Sequence, residues 1–457
     1  MKIIFIIITR GFIIRNVLRS GGLVQFRNKG YKIVIILDCK EVPEYLREEL
    51  ASENVTVVAE KGRGLGRIHR LFHNIQTFLI FTDSTVRYLK YGNNRLIARP
   101  RVFTYLHIAF VWLISRMPLL KSLSRFVEVH LFPQYHVSIA RLFDEHKPDV
   151  VFSTSVISGL DILFMKEAKR RGITTVSMPK GWDNVTRNYY RFVPDYFIVQ
   201  TKVLRDELVR LQKFPAKRVY ITGFPQFDWY RKSDVIISRE EFCKKYGLNP
   251  SLSIILFGSE GGWADHDFDV AENIRVMIEK NELVKECQLL VRPHFSNFRN
   301  ELFKKLLGRE RVKVDTSYNI SDAFVDNWDP LDDETKNLAN SLYHADLLVT
   351  TASTLNLDMA CFNHPIINLA FGGRFRGARD ITPWLYKSNH MQWVINTGGI
   401  RLVSNNNELK NMINVYLNNP HLDNEGRVRL ANELCYKVDG KSSERMVDAI
   451  DDIMKKS

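Results

Sequence analysis

The sequence predicts an α/β protein of two Rossmann-like domains facing a cleft. Three observations predict it. Apolar runs of strand length recur along the chain with helical stretches between them, the pattern of a parallel sheet covered on both faces. That pattern stops in the polar stretch RKSDVIISREEFCKKYGLNPS and restarts at Leu252. The chain of 457 residues is too long for one ordinary core. The first domain is expected at 1–230, a linker at 231–250 and the second domain at 251–457.

In the first domain, strands are read at Ile3–Thr9, Tyr31–Leu37, Val55–Ala59, Pro148–Phe152, Ile173–Ser177, Tyr196–Gln200 and Arg218–Thr222. Helices are read at Arg15–Arg27, Phe132–His146, Leu160–Arg171 and Lys202–Gln212. The opening MKIIFIIITRGFII resembles an export signal in hydropathy. Arg10 interrupts it, no small-residue cleavage site follows, and Lys32–Leu37 resumes a buried-strand pattern. It reads as the first strand. Second-domain strands are read at Leu252–Phe257, Gln288–Val291, Val312–Asp315, Leu347–Val349, Ile366–Leu369 and Arg401–Val403. In such sheets ligands bind beyond the carboxyl ends of the strands.

Hydrophobic residues make up 45% and charged residues 25%, values of a soluble globular protein. The five cysteines include no C-x-x-C pair, which points to a reducing cytosol and offers no zinc site. No run reaches the roughly 18 apolar residues of a membrane span. The net charge of +14 is concentrated between Lys61 and Phe126, where twelve Lys/Arg face one acid, Asp83. Aromatic and aliphatic residues run through the same region at Tyr105–Ile114. That mixture suits an anionic membrane surface, or else forms a solvated basic face over a core helix. Nucleic acid is the rival partner, but no helix-turn-helix, zinc-finger or RRM signature accompanies the charge.

The chemistry-bearing residues fall at predicted strand ends. Leu347–Ala370 reads as strand, Thr/Ser turn, helix and strand. Ser353 and Thr354 stand where a helix start leaves N–H groups unpaired, either as a simple cap or as an anion site. Asp358 lies four residues on, on the same helix face. Gly258, Ser259, Glu260, Gly261 and Gly262 form a loop through which backbone N–H groups can approach a phosphate. Arg292 and His294 offer a planar fork for phosphate and a ring that can shuttle a proton. In the first domain, Lys180-Gly181-Trp182-Asp183-Asn184-Val185-Thr186 points to an acceptor site with Trp182 and Asn184. Asp183 is a candidate general base there, unless Asp and Asn merely stabilise the turn. Asp265-x-Asp267-x-Asp269 imitates a metal-binding motif, but acids at a helix start serve the cap and dipole. His107, His130 and His136 form no metal spacing.

These loops resemble the GT-B superfamily, and within it the bacterial surface-polysaccharide and CDP-glycerol glycerophosphotransferase-like enzymes. The resemblance covers most of the chain and is clearest over Val151–Asp228 and Ile254–Asn368. It rests on Ser353, Thr354 and Asp358, on Arg292 and His294, and on Gly223, Pro225 and Asp228. The C-terminal run from Asp439 to Arg445 is similar to the tail of such transferases, in which the last helix packs back on the first domain. The Trp-Asp-Asn loop departs from the glycerophosphotransferases, which carry a His-Gly there and use that His as base.

The resemblance implies a glycosyltransferase that moves a sugar from a nucleotide-diphosphate donor to a lipid-linked or other glycan acceptor in cell-surface polysaccharide assembly. Gly258, Ser259, Ser353, Thr354 and Asp358 would hold the donor. Arg292 and His294 would stabilise the leaving diphosphate in place of a metal, and no further cofactor is implied. The expected location is the cytoplasmic face of the plasma membrane. Transfer of a polyol phosphate from a CDP-alcohol is the alternative. A sugar-nucleotide 2-epimerase and a non-catalytic scaffold share the two-domain plan, and a nucleic-acid binder is a further rival.

Overall fold

A computed structural model describes residues 1–62, 64–91, 102–132, 135–261, 267–295, 300–372 and 382–456. Two parallel sheets carry it. The first contains β1 (Ile3–Ile8), β2 (Lys32–Leu37), β3 (Val55–Ala59), β4 (Val150–Ser153), β5 (Thr174–Ser177), β6 (Tyr196–Val199) and β7 (Val219–Ile221), in the order β3-β2-β1-β4-β5-β6-β7. The second contains β8 (Ser253–Gly258), β9 (Cys287–Arg292), β10 (Val312–Val314), β11 (Leu347–Thr350), β12 (Ile366–Leu369) and β13 (Arg401–Val403), in the order β10-β9-β8-β11-β12-β13. Strand order reverses beside β1 in one sheet and beside β8 in the other. Such switch points open a crevice at the carboxyl ends.

The continuous apolar strands are buried on both faces. Ile4, Ile6 and Ile8 of β1 pack on one side with Met446, Val447, Ile450 and Ile453 of the C-terminal helix Ser442–Lys456. Phe5 and Ile7 point the other way, into a cluster with Phe143 and Phe164. The period of two sorts them. The last helix therefore crosses back onto the first sheet, as expected. Its start is fixed by Asp228, whose carboxylate accepts the N–H groups of Ser442 (2.9 Å) and Ser443 (2.7 Å). Gly223 has φ 88°, and a Cβ there would lie 2.5 Å from Ser442 Oγ. The Gly-x-Pro-x-x-Asp segment thus docks the final helix.

Two expected helices differ. The one read at Arg15–Arg27 runs from Gly11 to Asn28 with wide turns over Ile14–Gly22 and Gly21 at φ 131°. A Cβ on Gly22 would stand 2.0 Å from Val17 O. The helix read at Phe132–His146 starts at Val137, because His136 is extended (φ −121°, ψ 121°). Upstream, Val102–Ile114 and Pro118–His130 are separate helices bent by 88° at Pro118, a residue suited to a first helical turn. No single described helix is long and apolar enough to cross a membrane. Phe103, Leu106, Phe110, Leu113 and Leu119 of this pair are exposed. Arg63, Arg95, Arg99 and Arg101 of the basic run lie outside the described residues, as do Gly262 and Asp265.

The two sheets are joined on both margins of the crevice. On one, Arg19 bridges Glu49 and Asp329, and the chain crosses twice between the sheets near Asp228. On the other, Ser84 N–H donates to Asn389 Oδ1 (3.0 Å), Asn389 N–H donates to Ser84 Oγ (3.1 Å), and Tyr91 stacks on Trp384 at 4.9 Å.

Candidate active site

β8, β9 and β11 end level with one another. Gly258 pairs in register with Arg292 on one side and Thr350 on the other, so three loops distant in sequence leave the sheet at one place. A Cβ on Gly258 would stand 2.3 Å from Leu355 Cδ1, so a side chain here would push the Leu355 tip aside. Beyond it, Gly261 (φ 71°) leaves room for the His294 ring, whose Nδ1 would be 2.8 Å from an added Cβ. Glu260 N–H donates to Asp267 (2.6 Å), and Thr351 Oγ1 donates to its other oxygen (3.3 Å). Asp267 thus opens the helix Asp267–Glu279 while pinning the glycine loop. Burial, and then the Asp267 charge, pushes the Glu260 carboxyl well above its usual range, while a bond with Ser353 pulls against them.

In the hydroxyl turn, Thr350 Oγ1 donates to Gly258 O (2.8 Å) and Ser353 Oγ accepts Leu355 N–H (3.3 Å). Thr354 makes no capping bond with its side chain, and the helix it precedes is only Leu355–Ala360. The cap is Ser353. Asp358 accepts from Tyr230 Oη. Burial raises its carboxyl to about 6 against the pull of Tyr230 and Arg15. Arg292 pairs with buried Asp315 and lies 3.7 Å from Glu334. Burial opposes its charge, but Asp315, Tyr318 and Glu334 hold the guanidinium above its usual range. Burial and Arg292 push His294 down to about 4, leaving a neutral ring.

On the first sheet, the loop after β5 is a tight turn. Asn184 Oδ1 accepts Gly181 N–H (3.1 Å), and Asn184 Nδ2 donates to Asp183 (3.2 Å). Arg187 donates to the other Asp183 oxygen at 3.0 Å. Burial raises the Asp183 carboxyl, but Arg187 and His390 outweigh it and hold the group below its usual range. Trp182 is buried edge-on against His390, with centroids 4.9 Å apart. His390 is itself pushed down to about 4, chiefly by burial, and its Nδ1 has no partner among the described residues.

A cavity of about 440 Å³ lies between the sheets. Trp182, Asp183 and Asn184 line one wall; Ser259, Arg292, His294, Ser353, Thr354 and Asp358 line the other. Gly258 lies behind that wall, outside the lining. The sequence did not mark Arg15, Lys180, Phe295, Trp328 and His390 as site residues, yet all face the cavity. Arg15 follows β1, so the strand-end rule applied there points to it. Lys180 belongs to the loop already singled out. Trp328 comes from an irregular stretch and stacks on Phe295 at 4.0 Å; His390 comes from a helix start without a pattern. Burial lowers both Arg15 and Lys180 from their usual ranges. Among the described residues neither has a carboxylate within ion-pair distance; Arg15 Nε donates to Asn16 Oδ1.

Two parallel sheets, a deep crevice at their facing carboxyl ends and a last helix returned to the first half make up the GT-B fold. Residues 160–452 match the family of CDP-Glycerol:Poly(glycerophosphate) glycerophosphotransferases. The chain belongs to that family and is accordingly a transferase. No curated protein matches it. In fold it is similar to Staphylococcus aureus MnaA, solved with UDP (13% identity, 100% of this chain and 97% of that one, TM-score 0.57). It is similar also to a UDP-GlcNAc 2-epimerase from Neisseria meningitidis bound to UDP-GlcNAc (11%, 99% and 100%, 0.55). A glycosyltransferase from Rickettsia africae shares the fold (12%, 100% and 99%, 0.52).

Proposed function

We propose that this enzyme transfers a sugar from a nucleotide-diphosphate donor to a hydroxyl of a lipid-linked acceptor in bacterial cell-surface polysaccharide assembly. The observation that carries the reading is the set of cations around the cavity. Arg292 is committed to Asp315, whereas Arg15 and Lys180 face the cavity with no carboxylate partner among the described residues. Both are half-buried, and the carboxylates that act on them, Asp358 and Glu334 on Arg15 and Asp183 and Asp326 on Lys180, lie beyond ion-pair distance, so a diphosphate would supply a counter-charge in contact. The same cations would stabilise the diphosphate as it leaves, the role a metal plays in other sites. Phe295 and Trp328 give the donor's ring a stacking wall.

Asp183 is the proposed base on the acceptor wall, acting beside His390. The carboxylate, kept ionised by Arg187, would take the acceptor proton, with the neutral His390 ring beside it. His294 and Arg292 face the leaving group. The exposed apolar residues of the bent helix pair, among basic residues, would rest on the anionic cytoplasmic leaflet and bring a lipid-linked acceptor to the crevice. The family match favours one alternative, transfer of glycerol phosphate from a CDP-alcohol.

Thermal shift with UDP, CDP, GDP and CMP tests the reading. A ligand at a hundred times its dissociation constant adds about 2.7 kcal/mol. A shift with one diphosphate, lost in Arg15→Ala and in Ser353→Ala with Thr354→Ala, supports transfer and names the base. No shift with any nucleotide would leave the scaffold reading instead.

A further inference from the structure

A second cavity, of about 690 Å³, opens at the bend between the helices Val102–Ile114 and Pro118–His130. It shares no lining residue with the crevice. Five cations line it: Arg116, Lys121, Arg125, Arg210 and Lys213. No described carboxylate does. Arg210 pairs with Glu207 at 2.5 Å. Arg125 donates to Tyr190 O, Gln212 O and Gln212 Oε1, all uncharged acceptors. Arg116 stacks on Trp112 at 3.8 Å. Lys121 and Lys213 have no hydrogen bond or ion pair from their side chains among the described residues. Burial, then Lys213, Arg125 and Arg210, lowers the Lys121 ammonium from its usual range, as expected for cations crowded together without an anion.

The floor and rim differ in character. Ile80, Leu211 and Tyr189 close the floor as a small apolar cluster. At the rim, Met117 and Leu119 stand exposed beside Pro118, Leu119 at 83%. A free phosphate would satisfy the cations and leave this rim bare. A phosphate joined to an acyl chain would satisfy both.

We propose that this pocket is a binding site for the phosphate headgroup of an anionic lipid, seated where the bent helix pair meets the bilayer. The phosphate oxygens accept from Lys121, Lys213 and Arg116, and the acyl chains leave past Leu119. The site gives the membrane contact, on whose proposal it partly rests, a chemical selectivity that an apolar face alone lacks.

The test uses the full chain and the variant Lys121→Ala with Lys213→Ala. Dihexanoyl phosphatidic acid, below its micellar concentration, and inorganic phosphate are titrated calorimetrically. The expected result is about tenfold weaker lipid binding by the variant, much weaker binding of inorganic phosphate by both proteins, and an unchanged nucleotide thermal shift. Flotation with phosphatidylcholine vesicles, with and without phosphatidylglycerol, forms the second arm. There the variant loses the phosphatidylglycerol-dependent share, whereas Phe103→Ser with Leu106→Ser loses binding to both vesicles and keeps the soluble lipid. Equal lipid affinity in wild type and lysine variant overturns the site. So does inorganic phosphate bound as tightly as the lipid, or an oligonucleotide whose binding is the only one the lysines control. Wild type that ignores vesicles, while the lysines still govern the soluble lipid, upholds the site and overturns the membrane contact.

Discussion

Arg19 and Asp329 lie 310 positions apart in sequence and 2.6 Å apart in space. Their side chains are 4% and 0% exposed, and Tyr45 Oη donates to the second Asp329 oxygen at 2.7 Å. Removing one partner of such a pair strands the other. Asp329→Ala is expected to lower the unfolding free energy by about 3 kcal/mol, read from denaturant curves. Arg19→Met combined with Asp329→Leu should recover most of that loss. Equal stabilities for all three proteins would mean that the pair does not couple the halves.

The second prediction concerns Asp358 and pH. Its carboxyl is raised from 3.8 to about 6 in the folded protein. The folded state therefore favours the protonated form. That contribution is fully present below pH 3.8 and is lost as pH rises through about 6. Asp358→Asn keeps an acceptor for Tyr230 Oη and removes the charge. The variant should be more stable than wild type above pH 6 by about 1–3 kcal/mol, with the gain vanishing on acidification. A constant difference across pH would refute the assignment.

Arg15 and Lys180 supply the third. Arg15→Ala and Lys180→Ala should each weaken a nucleoside diphosphate by about 1.5–3 kcal/mol, the worth of a charge-assisted hydrogen bond. The monophosphate should lose less. Calorimetric titration with CDP, UDP and their monophosphates separates the two. Equal losses for mono- and diphosphate would place these cations away from the leaving group.

A fourth follows from the histidines. His294 and His390 are both pushed down to about 4, so each is neutral from pH 5 upward. If transfer needs a neutral ring, the rate should hold level down to about pH 5 and fall only below it. A fall centred near 6.5, the ordinary histidine value, would exclude both rings. Asp183→Asn should lower kcat with little change in donor KM, since the residue faces the acceptor wall.

Much of the fold was legible because parallel sheets write themselves as continuous apolar runs. IIFIII and KIVIIL admit no other reading once helices separate them. The glycine loop, Arg292 and the hydroxyl turn were legible for a related reason: each follows a strand, and Gly258, Arg292 and Thr350 share one register row. Arg15 and Lys180 also follow strand ends, but nothing local ranks them above the other cations there. Their importance comes from facing the cavity with no described carboxylate in contact, an arrangement only packing creates. The start of the helix at Val137 was missed because the hydrophobic period runs on through His136, while the backbone does not. Trp328 and His390 sit in segments without periodicity, and only tertiary packing brings them to the cavity.

The two margins of the crevice are unequal in strength. One carries a double passage of the chain, a capped helix and buried ion pairs. Among the described residues, the other is closed by Ser84, Asn389, Tyr91 and Trp384 through two uncharged hydrogen bonds and one ring stack, with Trp182 edge-on against His390 beside them. Those contacts together are worth on the order of 2–4 kcal/mol. On these contacts, separation of the halves is expected to begin there, with the Asp228 margin as the hinge. The enzyme has in effect one door, and residues far from the chemistry set how often it swings.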